Sequence, residues 1–363
     1  MLRGDVFNSP LVIWFLRQIK TIPIFRFRDG FASLKRNQDT FDYCYKLLHD
    51  KEHIIILAEG NTIHEKRLRT IQKGTARMAF GVFEKYGDTD IDIIPVGINY
   101  SDSVRFRSEI MAEVGQPINL QDYMTAYKEN PRKAVRQITV EIQNQLNDLV
   151  IHIDKDEDVA LTDRLLLINR NNFIQNVLPR VSNDNTLLHE EVQIAREING
   201  MEAAERNELE VKVGAYFGEL KKQNISDLGL AQSFQFNFKN TFLLLLGFIP
   251  FLWGFLTNFI PFLIAKRVAD AKVKRLEFHS SVRLGVCFAV YSLLFLIGLI
   301  TALIIGNKLF IGLVLIMPIC GHLAVLYQDV FHYWNEARKV KGMDKALLKK
   351  LRVSREELIS LVK

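Results

Sequence analysis

The sequence has only three cysteines, and none of them is close to another. Cys44, Cys287 and Cys320 are spread along 363 residues, without a C-x-x-C pair. Three cysteines, two of them inside apolar runs, are too few for a disulfide framework, and they lack the close spacing of a cysteine-rich zinc site, so both kinds of site are excluded. This cysteine usage is typical of a protein in a reducing compartment.

A strong excess of either charge is also lacking. The 47 Lys and Arg residues against 41 Asp and Glu residues give a formal net charge of +6. So small an excess does not indicate a nucleic-acid partner. The charges are instead unevenly placed, because long stretches between residues 241 and 327 contain no Asp, Glu, Lys or Arg. This contrast predicts a membrane protein with a large soluble part.

Residues 1–120 combine runs of strand length with helical spacing. The runs at 53–58 and 91–98 are aliphatic and are bounded by charged or glycine-containing turns, as buried strands are. Between them, apolar residues recur at helical spacing: Ala76, Ala79, Phe80 and Phe83. The order strand, loop, helix, strand predicts an α/β domain over residues 1–120.

Residues 121–235 are predicted to form a helical extension. Pro131 suits the first turn of a helix. Apolar residues then follow every three or four positions, at Val135, Ile138, Ile142, Leu146, Leu149 and Ile153, and a second apolar face follows at Leu188, Val192, Ala195 and Ile198. Both patterns indicate amphipathic helices that pack on a core.

Three apolar segments follow, at 241–265, 284–305 and 309–327. About 20 apolar residues cross the hydrocarbon core of a bilayer, so each segment is long enough. The first segment contains residues that break or kink helices, namely Gly247, Pro250, Gly254 and Pro261. The sequence therefore predicts an all-α membrane region over 241–327 and a basic cytoplasmic tail over 328–363.

Basic residues around these segments predict the topology. Six lie in the loop 266–283, nine lie after Tyr327, and one, Lys308, lies in the turn before the last segment. Because short basic segments stay in the cytoplasm, we expect an integral membrane protein with the loop, the tail and the soluble part on the cytoplasmic face. In the preferred arrangement the first segment enters and leaves on one face as two half-helices, and the other two segments form a hairpin. The alternative, in which all three segments cross, stays open.

Two other charged segments have ordinary interpretations. The acidic turn at 152–158 lacks the glycine and the distal glutamate of an EF-hand loop, so it is predicted to be a solvated turn. The tail either binds anionic lipid head groups or forms a charged cytosolic helix.

The stretch from Ile54 to Phe80 carries the residues that suggest chemistry. An aliphatic run leads into Glu59-Gly60, a basic loop with Arg67 and Arg69 follows, and Lys73-Gly74 opens a predicted helix. Backbone N–H groups at a helix start, with cations beside them, form a site suited to phosphate. Taken alone, a Glu-Gly pair is more often a capped turn beside a solvated basic loop.

Several segments together change this interpretation. They are Asn8-Ser9-Pro10-Leu11 with Trp14-Phe15-Leu16 and Ile22-Pro23-Ile24-Phe25-Arg26, then Glu59-Gly60 with Lys73-Gly74, then Ile94-Pro95-Val96-Gly97-Ile98 and Gly115-Gln116-Pro117-Ile118. Their order and spacing over roughly residues 1–120 resemble the glycerolipid acyltransferase family, membrane enzymes that acylate glycerol 3-phosphate and lysophosphatidic acid. The resemblance implies an α/β acyltransferase-like domain, followed here by a helical segment and an all-α C-terminal membrane region. It also implies that Arg26 holds the substrate phosphate.

The sequence departs from the family pattern in its third block. Leu57-Ala58 stands where the family has Phe-Pro, and Asn61-Thr62 stands where it has Thr-Arg. The usual phosphate-binding arginine of this block is therefore absent, and we expect Arg67 or Arg69 to supply the charge.

A second departure concerns the catalytic dyad. In the family, an Asn-His-x4-Asp block precedes the second block, and its histidine acts as the general base. None of the eight histidines of this sequence has an aspartate five positions later. Either this is a shortened product of a longer gene, which we favour, or it is a paralogue without the dyad. As written, the polypeptide is expected to be unable to perform the reaction by the family mechanism.

The resemblance implies transfer of a fatty acyl group in phospholipid synthesis. The donor would be a thioester, acyl-CoA or acyl carrier protein, and the acceptor a glycerol phosphate or a lysophospholipid among membrane phospholipids, with no metal or cofactor. The expected substrate-binding residues are Arg26, Glu59, Gly60, Asn61, Arg67, Arg69, Lys73 and Gly74. The alternative is a non-catalytic lipid-binding or scaffolding membrane protein that keeps the acyltransferase fold.

Overall fold

The computed structural model describes the chain except residues 1, 4–9, 26–30, 61–64, 89, 105–107, 174–177, 179–180, 232–235 and 362–363. It divides into two compact units. Unit 1 comprises residues 1–63, 68–99 and 112–150, and unit 2 comprises residues 64–67, 100–111 and 151–363. The predicted helical extension is thus divided near residue 150.

Unit 1 contains helices and short strands. Its helices are α1 (Pro10–Gln18), α2 (Phe31–His49), α3 (Gly74–Tyr86), α4 (Met124–Glu129) and α5 (Pro131–Leu149). The strands are β1 (Leu2–Arg3), β2 (Pro23–Ile24), β3 (Asp92–Ile93), β4 (Val96–Tyr100), β5 (Ile110–Val114) and β6 (Ile118–Asn119), of which β4 and β5 extend into unit 2. The strands pair two by two, β1 with β2 in parallel, β3 with β6 antiparallel, and β4 with β5.

Two helices of unit 1, α3 and α5, form where the sequence predicts them. Asn130 accepts a hydrogen bond from the Lys133 N–H at the start of α5, and Pro131 occupies its first turn. The predicted apolar face of this helix is buried and packs against α3. The rings of Phe80 and Tyr127 stack in this core with their centroids 3.9 Å apart. Helix α3, which packs in this core, carries the predicted phosphate site at its start.

The predicted α/β character of residues 1–120 is only partly observed. The run 53–58 has no regular secondary structure, and within it Ile55 is 80% and Leu57 66% exposed. The run 91–98 is divided into β3 and β4 by Ile94 and Pro95. Isoleucine favours an extended chain, but a strand also needs a hydrogen-bonding neighbour, and Pro95 has no N–H to donate. The described residues therefore hold short strand pairs and no continuous α/β sheet.

Apart from the ends of β4 and β5, the regular elements of unit 2 are helices in its described residues. Its helices are α6 (Val159–Arg170), α7 (Thr186–Gly200), α8 (Ala203–Lys222), α9 (Asp227–Leu230), α10 (Phe238–Lys272), α11 (His279–Ile305), α12 (Lys308–Leu315), α13 (Met317–Lys341) and α14 (Lys345–Ser360). The predicted apolar face of α7 is confirmed, because Leu188, Val192, Ala195 and Ile198 are all buried in the core that α6, α7, α8 and α14 share.

The membrane region follows the predicted apolar segments. Among the described residues, α10 and the stretch Leu276–Ile305 are each long and apolar enough to cross a membrane, and α12 with α13 would form a third span if this bent pair is one. The first segment is one continuous helix through Pro250 and Pro261, where we expected two half-helices. The break, a bend of 47°, lies instead between α12 and α13.

Helices α10 and α13 approach each other closely at a glycine. A Cβ atom added to Gly254 would lie 2.0 Å from the backbone oxygen of Cys320. The Asn258 side chain donates to the Gly254 carbonyl at 2.8 Å, and the ring of Phe251 stacks on that of Tyr327 at 4.4 Å. Glycine at this position therefore permits the contact that stabilises the pair of helices.

A buried network of polar side chains connects the basic tail to the other helices of unit 2. The Asp227 carboxylate accepts from Arg355 Nε at 2.8 Å, from Asn171 Nδ2 at 2.8 Å and from the Tyr216 hydroxyl. Arg355 also donates to the backbone oxygen of Ile168 at 2.9 Å. The last helix, α14, is therefore an integral part of unit 2.

Candidate anion-binding site

A tight turn brings Glu59 next to the start of α3. The Gly60 N–H donates to the Leu57 oxygen at 3.2 Å, and the Gln72 N–H donates to the Ala58 oxygen at 2.9 Å. Gly60 has φ = +68°, in the left-handed region that favours glycine. The second hydrogen bond joins the two halves of the predicted motif, because Gln72 immediately precedes Lys73-Gly74.

The Glu59 carboxylate is half-buried within this turn. The backbone N–H of Arg69 donates to it, and the Arg69 guanidinium attracts it. Burial nevertheless raises the pKa of Glu59 above its usual value, and the contacts with Arg69 only oppose this shift. The carboxylate therefore holds the backbone of the basic loop beside the start of α3.

The start of α3 is open and has no side-chain cap. Among the described residues, Lys73 occupies the N-cap position without a capping hydrogen bond, and nothing lies within 4 Å of a Cβ added to Gly74. The Thr75 hydroxyl is buried and has no hydrogen-bond partner among the described residues. Lys73 is exposed and, in the part of the chain that the structure describes, has no ion-pair partner.

These features together make the start of α3 suitable for an anion. The first N–H groups of a helix have no intrahelical acceptor, and the helix dipole favours negative charge at this end. Lys73 adds a positive charge, and Thr75 adds a donor that the sequence analysis missed. Its only sequence signal is a threonine immediately after the glycine that opens the helix.

Arg67 has a different set of contacts. It belongs to unit 2, where its guanidinium donates to the Ile153 oxygen at 2.8 Å and to the Asp156 carboxylate at 2.7 Å. Arg206 pairs with Glu157 and Asp158 in the same acidic turn. The turn at 152–158, which was predicted to be solvated, therefore forms ion pairs with basic side chains.

The structure therefore groups Glu59, Gly60, Arg69, Lys73 and Gly74 within unit 1 and places Arg67 in unit 2. Arg26 and Asn61 lie outside the described residues. Among the residues that the structure describes, no group of three or more His, Cys, Asp or Glu side chains is arranged to hold a metal ion.

Comparison with known proteins supports the motif analysis. Residues 1–99 match the Acyltransferase family model. The chain is 32% identical over 111 residues to glycerol-3-phosphate O-acyltransferase 2 of Saccharomyces cerevisiae, and 25% identical over 256 residues to glycerol-3-phosphate O-acyltransferase 1 of the same yeast. An uncharacterized acyltransferase of Schizosaccharomyces pombe is 25% identical over 130 residues. These matches confirm the predicted glycerolipid acyltransferase resemblance of the N-terminal region.

The matched portions differ in extent. The first yeast match covers 30% of this chain and 15% of the relative, and the second covers 67% of this chain and 33% of the relative. The match to the fission yeast protein covers 35% of this chain and 19% of that protein. No solved structure matches the chain. The chain therefore spans a third or less of the length of these curated relatives.

Proposed function

We propose that this chain binds a glycerol-phosphate acceptor at a membrane and takes part in its acylation by a thioester donor, acyl-CoA or acyl carrier protein. The observation that carries the proposal is the open start of α3, where Lys73 has no ion-pair partner among the described residues and lies beside the Glu59 turn, inside the region that matches the Acyltransferase family model. Both yeast relatives are named for acylation of glycerol 3-phosphate.

Each group of the site has a role in this proposal. The free N–H groups of Gly74, Thr75 and Ala76 would donate to the phosphate oxygens, and Lys73 would supply a charge-assisted hydrogen bond. Glu59 would not touch the phosphate, since two anions repel each other, but would hold the Arg69 loop in place. Arg26, expected from the family pattern to bind the same phosphate, completes the proposed set.

A second candidate, lipid binding without turnover, is favoured by one specific observation. The sequence contains no His-x4-Asp pair, so the general base and its orienting carboxylate are missing from the residues at hand. In that case the chain would bind the acceptor without acylating it, and a general base outside these residues would serve the acyl transfer.

A binding experiment tests the site without relying on turnover. We expect the full chain in lipid nanodiscs to bind glycerol 3-phosphate, and Lys73→Ala to weaken binding about tenfold, the effect of losing a charge-assisted contact. Inorganic phosphate should compete, whereas glycerol should not. The matched control is Lys128→Ala, which removes an exposed lysine from α4 in the same unit and should leave the affinity unchanged. Equal affinity of Lys73→Ala and the unaltered chain would refute the site.

A turnover assay then separates the two candidates. The same nanodiscs are given acyl-CoA with glycerol 3-phosphate, and the acylated product is measured by mass spectrometry. Binding without product supports the non-catalytic candidate. Product formation that Lys73→Ala reduces supports the enzyme, and it would also mean that a base other than a His-x4-Asp pair serves the reaction.

A further inference from the structure

Helix α1 carries large apolar side chains on the outside of unit 1. Trp14 is 63%, Phe15 55% and Ile19 55% exposed, while Leu16 faces inward and is buried. Ile19 directly follows α1, and its N–H donates to the Phe15 oxygen at 3.4 Å, so the helical path continues through it. Trp14, Phe15 and Ile19 therefore lie on one outer side, together with the exposed Gln18. We call Trp14, Phe15 and Ile19 the α1 stripe. A helix that is apolar on its outer face as well as its inner face is expected to have a partner on that outer face.

Cations flank the stripe. Arg17 lies in the last turn of α1, and Lys20 follows with φ = +52°. Both are exposed, and neither has an ion-pair partner among the residues that the structure describes. The end of the helix is fixed by Thr21, whose hydroxyl and N–H both donate to the Leu16 oxygen. Exposed aromatic and aliphatic side chains beside exposed basic residues are the composition of helices that lie in a membrane interface.

We propose that α1 lies in the bilayer interface, with the α1 stripe among the acyl chains and with Arg17 and Lys20 at the lipid phosphates. Tryptophan favours this depth because its ring is apolar and its N–H is polar, and long basic side chains reach outward to the phosphates. The same chain carries α10 and α11, which are long and apolar enough to cross a membrane. If α10 and α11 cross a bilayer, they tether unit 1 to it through the same chain, which favours the bilayer over a second protein molecule as the partner of α1.

The proposal goes beyond the proposed function, because it concerns how unit 1 rests on the membrane and is independent of acyl transfer. A second copy of the chain, or another segment of it, would cover the stripe without bringing it into contact with lipid, and this difference is measurable.

The first test uses the three tryptophans of the chain, Trp14, Trp253 and Trp334. A variant with Trp253→Phe and Trp334→Phe leaves Trp14 as the only emitter in the full chain. In nanodiscs whose lipids carry bromine on the acyl chains, we expect its emission to be quenched. A variant that keeps only Trp253, within α10, is the positive control for insertion. Trp14 emission that brominated lipid leaves unchanged, while Trp253 is quenched, would overturn the proposal.

The second test needs no tryptophan replacement in the membrane helices. In a Cys287→Ser background, Ile19→Cys is compared with Val140→Cys, which is 48% exposed on the polar outer face of α5 in the same unit. The remaining native cysteines, Cys44 and Cys320, are buried. In nanodiscs, a charged maleimide should react with Ile19→Cys at least about tenfold more slowly than with Val140→Cys, because the interface excludes the reagent. Similar rates would overturn the proposal, and so would slow labelling combined with no quenching of Trp14, which would indicate a protein partner.

Discussion

At the scale of single residues, the candidate site depends on how Glu59 is held. Because its carboxylate is half-buried in the Ala58–Gly60 turn, the carboxylate loses part of its hydration. The contacts with Arg69 only partly compensate for this loss. The residue type and its neighbour glycine were readable from the sequence. The hydrogen bond from the Arg69 N–H to this carboxylate was not predictable, because the loop that contains Arg69 has no apolar periodicity from which its conformation follows.

The raised pKa of Glu59 predicts a pH dependence of stability. The folded chain binds this proton more tightly than the unfolded chain, so the protonated residue stabilises the fold at low pH, and this stabilisation is lost as pH rises above 4.5, the usual value, through the raised pKa. Glu59→Gln cannot lose a proton. We therefore expect the melting temperature of Glu59→Gln to increase relative to that of the unaltered chain as the pH is raised from 4.5. A difference in melting temperature between the two proteins that stays constant across this pH range would contradict the raised pKa of Glu59.

A second prediction at this scale concerns Asp227. Replacing it with alanine leaves the buried Arg355 guanidinium without its carboxylate, and breaking a buried pair in this way typically costs about 3–5 kcal/mol. Thermal unfolding of the full chain should register this loss, and α14 should become sensitive to protease. Glu208→Ala, which removes an exposed i,i+4 partner of Lys212, is the control and should change stability by less than about 0.5 kcal/mol. Equal effects of the two substitutions would refute the structural role of the network.

At the scale of elements, amphipathic helices were predictable, whereas strands were predictable only in part. Pro131 and the apolar spacing after it located α5, since helix formation depends on local capping and on one buried face. The isoleucines at 53–58 predicted a strand, but pairing depends on a neighbour far away in sequence, and the run remains irregular. In α10 the prolines indicated a break, yet the helix continues through both of them because neighbouring helices support it.

The contact between α10 and α13 gives a prediction at this scale. Gly254→Ala would place a methyl group against the Cys320 backbone, so the helices must move apart, at a cost of about 1–3 kcal/mol for such overpacking. Gly285→Ala is the matched control, because no described residue lies within 4 Å of a Cβ added there in α11. The melting temperature in detergent should fall for the first variant and not for the second. A fall of equal size in both would contradict the close approach.

At the scale of the whole molecule, the tail and the helices α6, α7 and α8 must share one side of the membrane. Arg355 binds Asp227 inside this group, and Glu336 of α13 accepts from Ser226 N–H and its hydroxyl at 2.8 and 2.7 Å. The sequence predicted a cytoplasmic tail from its basic residues, but it did not predict that the tail is buried against α6 and α8. That packing depends on partners more than 120 positions away.

This arrangement predicts an accessibility pattern. In a Cys287→Ser background, Val211→Cys on α8 and Val353→Cys on α14 should be labelled from the same side of the membrane by an impermeant thiol reagent, because both lie exposed on unit 2. If the basic tail is cytoplasmic, both sites should react only after cells are permeabilised, whereas Lys308→Cys in the least basic turn should react in intact cells. Labelling of Val211→Cys and Val353→Cys from opposite sides would exclude the packing of α14.

Helix α13 passes without interruption from Cys320, beside α10, to Glu336, beside Ser226. About 24 Å of rigid helix separate these two contacts, so a tilt of about 10° at one end displaces the other end by about 4 Å. Bilayers of different thickness impose such tilts on helices. A change in lipid composition that tilts α13 therefore displaces Glu336. Either the soluble helices then move together with α13, or the hydrogen bonds between Glu336 and Ser226 break.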